Sequence, residues 1–554
     1  MPRQQAYSTI DGSTPSRRRK ALLAVTGAGA LMLVAALAFN VPDALRGAIE
    51  DPTVPEDMEA EKGVLHESGW EAPDAEKRCE WIADHYADKD SQLTKEQLQI
   101  KYKAQGKDAN AFYRATADLF WHDFVNGGWG EFDLLRLADP LKDGSPLQRT
   151  STWTWVTGDQ HLSNFGAFHA RDGDVVYGMN DFDEAVIYDF QVDVWRVAVS
   201  IYNHALTNGL TEAKAESAVE TFCEAYVEVV KGYVGNEDAE LFEVKASTTP
   251  KDTALHKFLK KMQTKDEDKA VIKFTQRTEA GLKFVKSKDT SLEELPEDIE
   301  NKIREGFSKE GYPATLPKVA WHALEYSAAS FEVLDVARRV GSGIGSFGVD
   351  RFYVLLAGEE RPAAADDDAY DVPSDDRAAE EDKHSRRAVI LDVKEEPSPA
   401  ARDAFEATSG KTGDAAWFDH LFKNQAARAV KAQRAITSLT DPYAGWAKID
   451  ERDFVVRERS PYKASFDLDE LDTYQDFAEY VEQIAAATAT SHVRASVGRA
   501  PAHFKEVIDA ALGTSYARMT WADSVARVAK EYREQVLLDY ECFFAYANST
   551  AGPL

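Results

Sequence analysis

Apolar positions along this chain follow two rhythms. Between Ala213 and Tyr233 they fall at 219, 222, 226, 229/230 and 233, and Val525, Val528, Tyr532 and Val536 repeat the interval near the end. A period close to 3.6 predicts helices with one buried face. Lys95 to Phe124 also reads as mainly helical. Elsewhere the apolar runs are short. Trp153–Val156, Val175–Tyr177 after the Arg171-Asp172-Gly173-Asp174 turn, Val336–Val340, Val349–Leu356, Ala388–Lys394 and Phe454–Arg459 predict strands. The mixture predicts an α+β fold.

The N-terminal stretch breaks both rhythms. Ala21 to Phe39 carries no charge, and its 19 residues at helical rise span about 28 Å, close to a bilayer's hydrocarbon core. Ser16-Arg17-Arg18-Arg19-Lys20 precedes it, and acidic residues follow from Asp43 to Glu61. Basic flanks stay cytoplasmic. The pattern therefore predicts a type II membrane protein: a cytoplasmic basic tail at 1–20, a membrane-spanning signal-anchor helix at 21–39, and a luminal or extracellular catalytic part. A signal peptide cut near Ala36-Leu37-Ala38 is the alternative, and gives a secreted protein. Residues 40–78, rich in Pro and Glu, predict an acidic disordered stalk. Beyond it the expected units are 79–330, 331–463 and 464–554, with an acidic disordered insertion at 359–387.

Charge and cysteines narrow the picture. The chain has 554 residues, 44% of them hydrophobic, and a formal net charge of −30. Such acidity repels phosphate backbones, so no nucleic-acid partner is expected, although a small phosphate pocket with local cations is compatible with it. Cys79, Cys223 and Cys542 are few, odd in number and far apart. They read as buried thiols, with neither a disulfide framework nor a zinc site.

The chemistry concentrates in two stretches, Gly158-Asp159-Gln160-His161-Leu162-Ser163-Asn164 and Asn180-Asp181-Phe182-Asp183. Phosphoryl transfer needs a group to position or deprotonate the acceptor, oxygen ligands for a metal, and cations on the phosphates. The Asp159-to-Asn164 interval lets one loop present both an Asp and a metal-binding Asn. Asp181 follows Asn164 by 17 residues, across a predicted β-hairpin, and supplies a carboxylate at a strand end. Hard oxygen donors point to Mg²⁺ or Mn²⁺.

Gly-Asp-x-His-x-x-Asn is similar to the catalytic motif of aminoglycoside phosphotransferases and choline kinases, and Gly178 to Ala185 looks like their metal-binding strand. More closely, Gly158–Gly166, Asn180–Glu184 and Asp193-Val194-Trp195-Arg196 resemble a largely uncharacterised family, domain of unknown function 2252, which is placed among kinase-like folds. The resemblance runs from about Ala111 to near the C-terminus. It implies a two-lobe, protein-kinase-like fold with Asp159 as catalytic Asp, Asn164 and Asp181 as metal ligands, and Asp183 as an alternative or additional ligand. It further implies that Asp193 braces the loop, and His161 reads as a brace as well. Where the phosphotransferases carry His before Gly-Asp, this chain has Thr157, which leaves the bracing contacts open.

Gly343-x-Gly345-x-x-Gly348 lies between two predicted strands, a setting that suits a phosphate-covering kinase loop better than a dinucleotide fold. The next strand ends in Lys394, placed to grip ATP phosphates. Both follow the acidic loops, the reverse of the kinase order, and a circular permutation would account for that. Glu406 is the candidate to orient Lys394. Arg457, Arg459 and Lys463 are candidate phosphate ligands, the first two on one face of a strand. Arg114 is a weaker one, because the family pattern has Gly where this chain has Ala115. The sequence thus predicts a kinase-like, ATP- and Mg²⁺-dependent phosphotransferase acting on a hydroxyl. The alternatives are a nucleotide-binding pseudokinase or interaction module, and a nucleotidyl transferase on the same scaffold.

Overall fold

The computed structural model describes residues 74–553, apart from parts of 127–145 and the segments 170–173, 266–267, 280, 318–327, 342–347, 360–386, 439–440, 460–461 and 497–503. The fold is mixed α+β. Two antiparallel pairings set its central feature. Strand β1 (Trp153–Val156) pairs with β4 (Val186–Asp189), and β2 (Phe165–His169) pairs with β3 (Val175–Met179). Val156 lies opposite Val186 and Phe165 opposite Met179. Loops 157–164 and 180–185 are therefore pinned at both ends and forced side by side. Strands β5 (Val244–Lys245) and β14 (Ala464–Ser465) flank the β2–β3 hairpin in a four-stranded sheet.

Helix Gln191–Thr207 leaves β4 after one residue and is buried along most of its length. It packs on Glu212–Gly232 and Ser515–Ala551, and Tyr474–Ala495 packs on Glu212–Gly232. The helical stripes read from the sequence are the faces that meet here, with Val219, Phe222, Tyr226, Val525, Val528, Tyr532 and Val536 all in the largest core.

The second sheet is a six-stranded antiparallel one. A two-residue strand, β8 (Leu292–Glu293), forms one edge, next to β9 (Val333–Arg339), β10 (Arg351–Glu359) and β11 (Arg387–Glu395). Strand β13 (Arg452–Glu458) lies beside β11, and β12 (Gly445–Ile449) closes the other edge. Alternation sorts its side chains. Val336, Phe352, Val354, Leu391, Val393, Phe454 and Val456 pack on Ile303, Phe307 and Tyr312. On the opposite face Tyr353, Leu355 and Ile390 pack with Phe274 and Phe284 beside the β6 (Thr275–Thr278) and β7 (Gly281–Phe284) hairpin. Val455 packs beneath helix Gln425–Ile436. By the same alternation Arg351, Asp392, Lys394 and Arg457 share this second face, a charged strip on an otherwise apolar surface.

Three expectations are corrected. No helix among the described residues is long and apolar enough to cross a membrane. The predicted signal-anchor at 21–39 lies outside the described residues, and the membrane assignment and the localisation built on it are withdrawn. The stretch expected to be a stalk through residue 78 instead turns helical at Ala75, where the Asp74 side chain accepts from the Lys77 N–H at 3.1 Å and Ile82 and Tyr86 bury the inner face. Finally, Cys79 and Cys542 are not thiols. They form a disulfide across 463 residues, tying helix Ala75–Lys89 to Ser515–Ala551. Beside it the buried Arg78 guanidinium binds Asp123 and Asp539 with four hydrogen bonds. Cys223 remains a buried thiol.

A cross-link between such distant residues restricts the unfolded chain far more than the folded one. Reduction, or paired Cys79→Ser and Cys542→Ser substitution, is expected to lower stability by about 2–4 kcal/mol. Urea unfolding with and without reductant reads this, and unchanged midpoints would show that the bond adds nothing.

Candidate active site

One helical stripe grips the first motif loop. Asp193, Arg196 and Ser200 lie at i, i+3 and i+7 on Gln191–Thr207, hence on one face. The Asp193 carboxylate accepts the Thr157 and Gly158 N–H groups at 2.7 and 2.9 Å and the Thr157 hydroxyl at 3.1 Å. Arg196 Nε donates to Asp159 Oδ1 at 2.9 Å, and Nη2 forms an ion pair with the same oxygen at 2.7 Å. Ser200 Oγ accepts the Leu162 N–H at 3.1 Å. His492 reaches Asp193 from a distant helix at 3.3 Å. Thr157 therefore contacts the bracing carboxylate itself, and an imidazole arrives from elsewhere. Gly158 is required twice over: its φ is +74°, and a Cβ there would lie 2.2 Å from the Glu184 carbonyl oxygen.

Within the loop, Asn164 Nδ2 donates to the Asp159 carbonyl at 2.8 Å and contacts Oδ2 at 3.4 Å. A carbonyl only accepts, so this fixes the amide's orientation and leaves Asn164 Oδ1 as the end able to bind a cation. His161 is buried, with Nε2 at 3.7 Å from Asp159 Oδ2. Burial, then Arg196 and Arg114, hold it well below the ordinary histidine range. Asp159 is raised to about 6, mainly by burial, with Arg196 offsetting part of the shift and Asp181 adding to it.

The second loop is the more crowded one. The Asp183 N–H points at Asp181 Oδ1 at 3.4 Å, and Lys394 from β11 forms an ion pair with the Asp183 carboxylate. Burial opposes ionisation of Asp183, but Lys394 and Arg457 outweigh it and hold the carboxyl low. Asp181 moves the other way, pushed up by burial and by the Asp183 charge. Glu184, raised to about 7 by burial, accepts the Ala400 N–H at the start of helix Ala400–Thr412 at 2.6 Å. Arg457 donates to the Asn180 carbonyl at 3.3 Å. Lys463 is lowered to about 8, first by Arg457 and then by burial. Asp392, between Lys394 and Ile390 on β11, is paired with Arg351.

Most of the sequence-predicted residues converge here: Asp159, His161, Asn164, Asp181, Asp183, Asp193, Lys394 and Arg457. Others do not. Glu406 is bound by Arg402 on the surface of its own helix, so it does not orient Lys394; Asp183 occupies that place. Arg459 Nε donates to the Tyr353 hydroxyl at 3.1 Å, toward the apolar end of the face. Gly343 and Gly345 lie outside the described residues. Gly348 is described at φ +98°, with Leu93 close enough that an added Cβ would sit 3.1 Å from its Cδ2.

Sequence reasoning missed a second tie between loop and sheet. Arg428 and Glu396, both fully buried, pair at 3.0 Å. Arg428 also donates to the Asp183 carbonyl at 2.7 Å and to the Ala185 carbonyl. Nothing in the alanine-rich helix around Arg428 announces this role. Arg196 was more accessible, standing one helical turn after Asp193 in the quoted Asp-Val-Trp-Arg stretch.

A divalent cation suits this chemistry. Asp181 acts electrostatically on Asp159, and Asp183 on Asp181; Asp159 and Asp181 are both raised, mainly by burial, so added positive charge beside them would favour their ionised forms. Among the described residues no group of three or more His, Cys, Asp or Glu side chains is arranged to hold a metal unaided. Asp181 and Asn164 offer two oxygen donors. Mg²⁺ is commonly held this way, with waters and substrate phosphates completing its shell.

No curated protein and no solved structure matches the chain. A family model described as "Uncharacterized protein conserved in bacteria (DUF2252)" matches residues 93–366 and 379–546, most of the sequence, and the chain belongs to that family.

Proposed function

We propose that this protein is a Mg²⁺-dependent phosphotransferase that moves the γ-phosphoryl group of ATP to a hydroxyl, on a kinase-like two-lobe scaffold. The observation that carries the reading is the meeting of three parts from distant sequence: Asp159 with Asn164, Asp181 with Asp183, and Lys394 on the second strand after the glycine segment. Phosphoryl transfer asks mainly for positioning and electrostatic stabilisation, and these residues can supply both. Asp159 would orient the acceptor hydroxyl and take its proton. Asp181 and Asn164 would hold the metal, which when bound offsets charge on the transferring phosphate. Lys394 and Arg457 would meet the phosphates, with Lys394 exchanging Asp183 for the nucleotide.

The reversed order of parts also has a support. Helices Ala75–Lys89 and Ser515–Ala551 lie against each other, with Cys79 and Cys542 Cα atoms 5.0 Å apart. A chain whose folded ends adjoin can be opened elsewhere without losing contacts.

Thermal unfolding with Mg²⁺ and ATP tests the reading directly. Nucleotide at 100 times its Kd should stabilise the wild type by about 2.7 kcal/mol, and Asp181→Ala should abolish the shift. No shift at millimolar nucleotide in folded wild-type protein would sink the proposal.

Asp159→Asn should keep the nucleotide shift yet lose about 10²- to 10⁴-fold in turnover, the usual share of a general base. Release of ADP is expected; release of pyrophosphate would replace the kinase reading with nucleotidyl transfer. Unimpaired turnover in Asp159→Asn would remove this residue from the mechanism.

The working form of Asp159 is the carboxylate. Its raised pKa means activity is present at high pH and lost as pH falls. In metal-free protein the carboxyl should titrate near 6. Bound Mg²⁺ draws it lower, so the acid limb of kcat/KM should fall at or below that value. An acid limb well above pH 6, or one that persists in Asp159→Asn, would assign it to another group.

A further inference from the structure

On the helical side of Asp159, away from Lys394, lies a second cationic cluster that the donor chemistry leaves unused. Arg114 ends the helix Ala109–Arg114, and its side chain is exposed. Among the described residues it makes no hydrogen bond or ion pair, although it lies within electrostatic reach of Asp159. Arg196 is fully buried and held by Asp159, by the Tyr113 carbonyl at 2.7 Å and by the Tyr113 ring at 3.9 Å. Its Nη1 nevertheless has no partner. His161, 3% exposed, likewise has an unpartnered Nδ1, and so does His204 on the same helix as Arg196. Arg114 acts electrostatically on both imidazoles, and His204 acts on His161.

Water can meet the exposed Arg114 guanidinium, but the buried Arg196 Nη1 and His161 Nδ1 are costly to leave unpartnered unless something completes them. In a chain of net charge −30, free cationic capacity next to a proton-accepting carboxylate selects for a particular ligand. A planar guanidinium fits carboxylate or phosphate oxygens in pairs.

We propose that Arg114, with Arg196, His161 and His204 around it, forms an acceptor subsite for a small molecule carrying an anionic group, carboxylate or phosphate, near the hydroxyl presented to Asp159. The proposal rests on the phosphotransferase reading for the identity of that hydroxyl, but the anion site itself does not need turnover. Arg114 supplies the charge. The buried pair Arg196 and His161 would fix the ligand's orientation beside the carboxylate, and His204, held uncharged by burial and by Arg114, would add a neutral hydrogen-bonding group.

The test is anion binding by the full chain in Mg²⁺- and nucleotide-free buffer, with inorganic phosphate in one arm and acetate in the other. It is measured by calorimetry on wild type, Arg114→Ala, Arg114→Lys and Lys394→Ala. At least one anion should bind wild type, and the arm that binds tells phosphate from carboxylate. Arg114→Ala should weaken it by about tenfold or more, the loss of one charge-assisted pair. Arg114→Lys should recover part of it, and Lys394→Ala, which removes any phosphate held on the donor side, should leave the Arg114-dependent binding in place. Binding lost in Lys394→Ala but kept in Arg114→Ala would overturn the proposal, as would no binding of either anion. Failure of the phosphotransferase reading shows separately, as absence of a Mg²⁺–ATP shift in the same wild-type protein.

Discussion

Asp193 holds the site in register. It is almost wholly buried, and a carboxylate in that setting persists only when its oxygens are filled. Two backbone N–H groups, a hydroxyl and an imidazole fill them, and the backbone donors belong to the turn that begins the first motif loop. Helix periodicity does the rest. Arg196 stands one turn along and grips Asp159, and Ser200 stands a further turn along and grips Leu162. Three consecutive points of the loop are thus referred to one rigid helix, and the helix is locked among three others. Asp159 cannot move far without breaking a buried contact.

The acidic loop is held differently, by a buried ion pair. Arg428 and Glu396 do not earn their place through net stability, since such pairs often break even against apolar replacements. Their value is positional. Glu396 follows β11 by one residue, and Arg428 belongs to the helix beneath β12 and β13. Together they fasten the sheet that carries Lys394 to the Asp183 and Ala185 carbonyls. Lys394 completes the attachment through the Asp183 side chain. The sheet and the helical body are therefore joined at the point where the proposed chemistry takes place, and any change in their relative position is felt first by Asp181 and Asp183.

The sequence revealed what depends on local pattern and concealed what depends on distant pairing. Helical stripes, the strand at Trp153–Val156 and the hairpin between Asn164 and Asp181 follow from periodicity and turn residues, and all are present. The closeness of Lys394 to the acidic loop needed an argument across more than 200 residues, and motif spacing supplied it. No spacing rule joins Cys79 to Cys542, so an odd count of three cysteines read as thiols. Glu406 failed for a local reason. Arg402 stands four residues before it, a favourable helical interval, and captures it. His492 was invisible because its partner lies 299 residues away. The Thr157 departure raised the right question, but only the tertiary structure names the imidazole that reaches Asp193.

The order of the site's parts along the chain has a physical meaning on the proposed reading. Contacts do not record the direction in which the backbone visits them. What order changes is the loop that must close before each contact forms, and that cost grows only with the logarithm of its length. Asp159 and Asp181 meet across a short hairpin, so the helical body can assemble its acidic loops early and locally. Lys394 lies 211 residues after Asp183, on a strand held between β10 and β13. The remaining chain then returns to the helical body, where Ser515–Ala551 packs on Gln191–Thr207 and Glu212–Gly232 and meets the first helix at the Cys79–Cys542 bond. The disulfide therefore closes a loop of 463 residues between the first and last helices among the described residues.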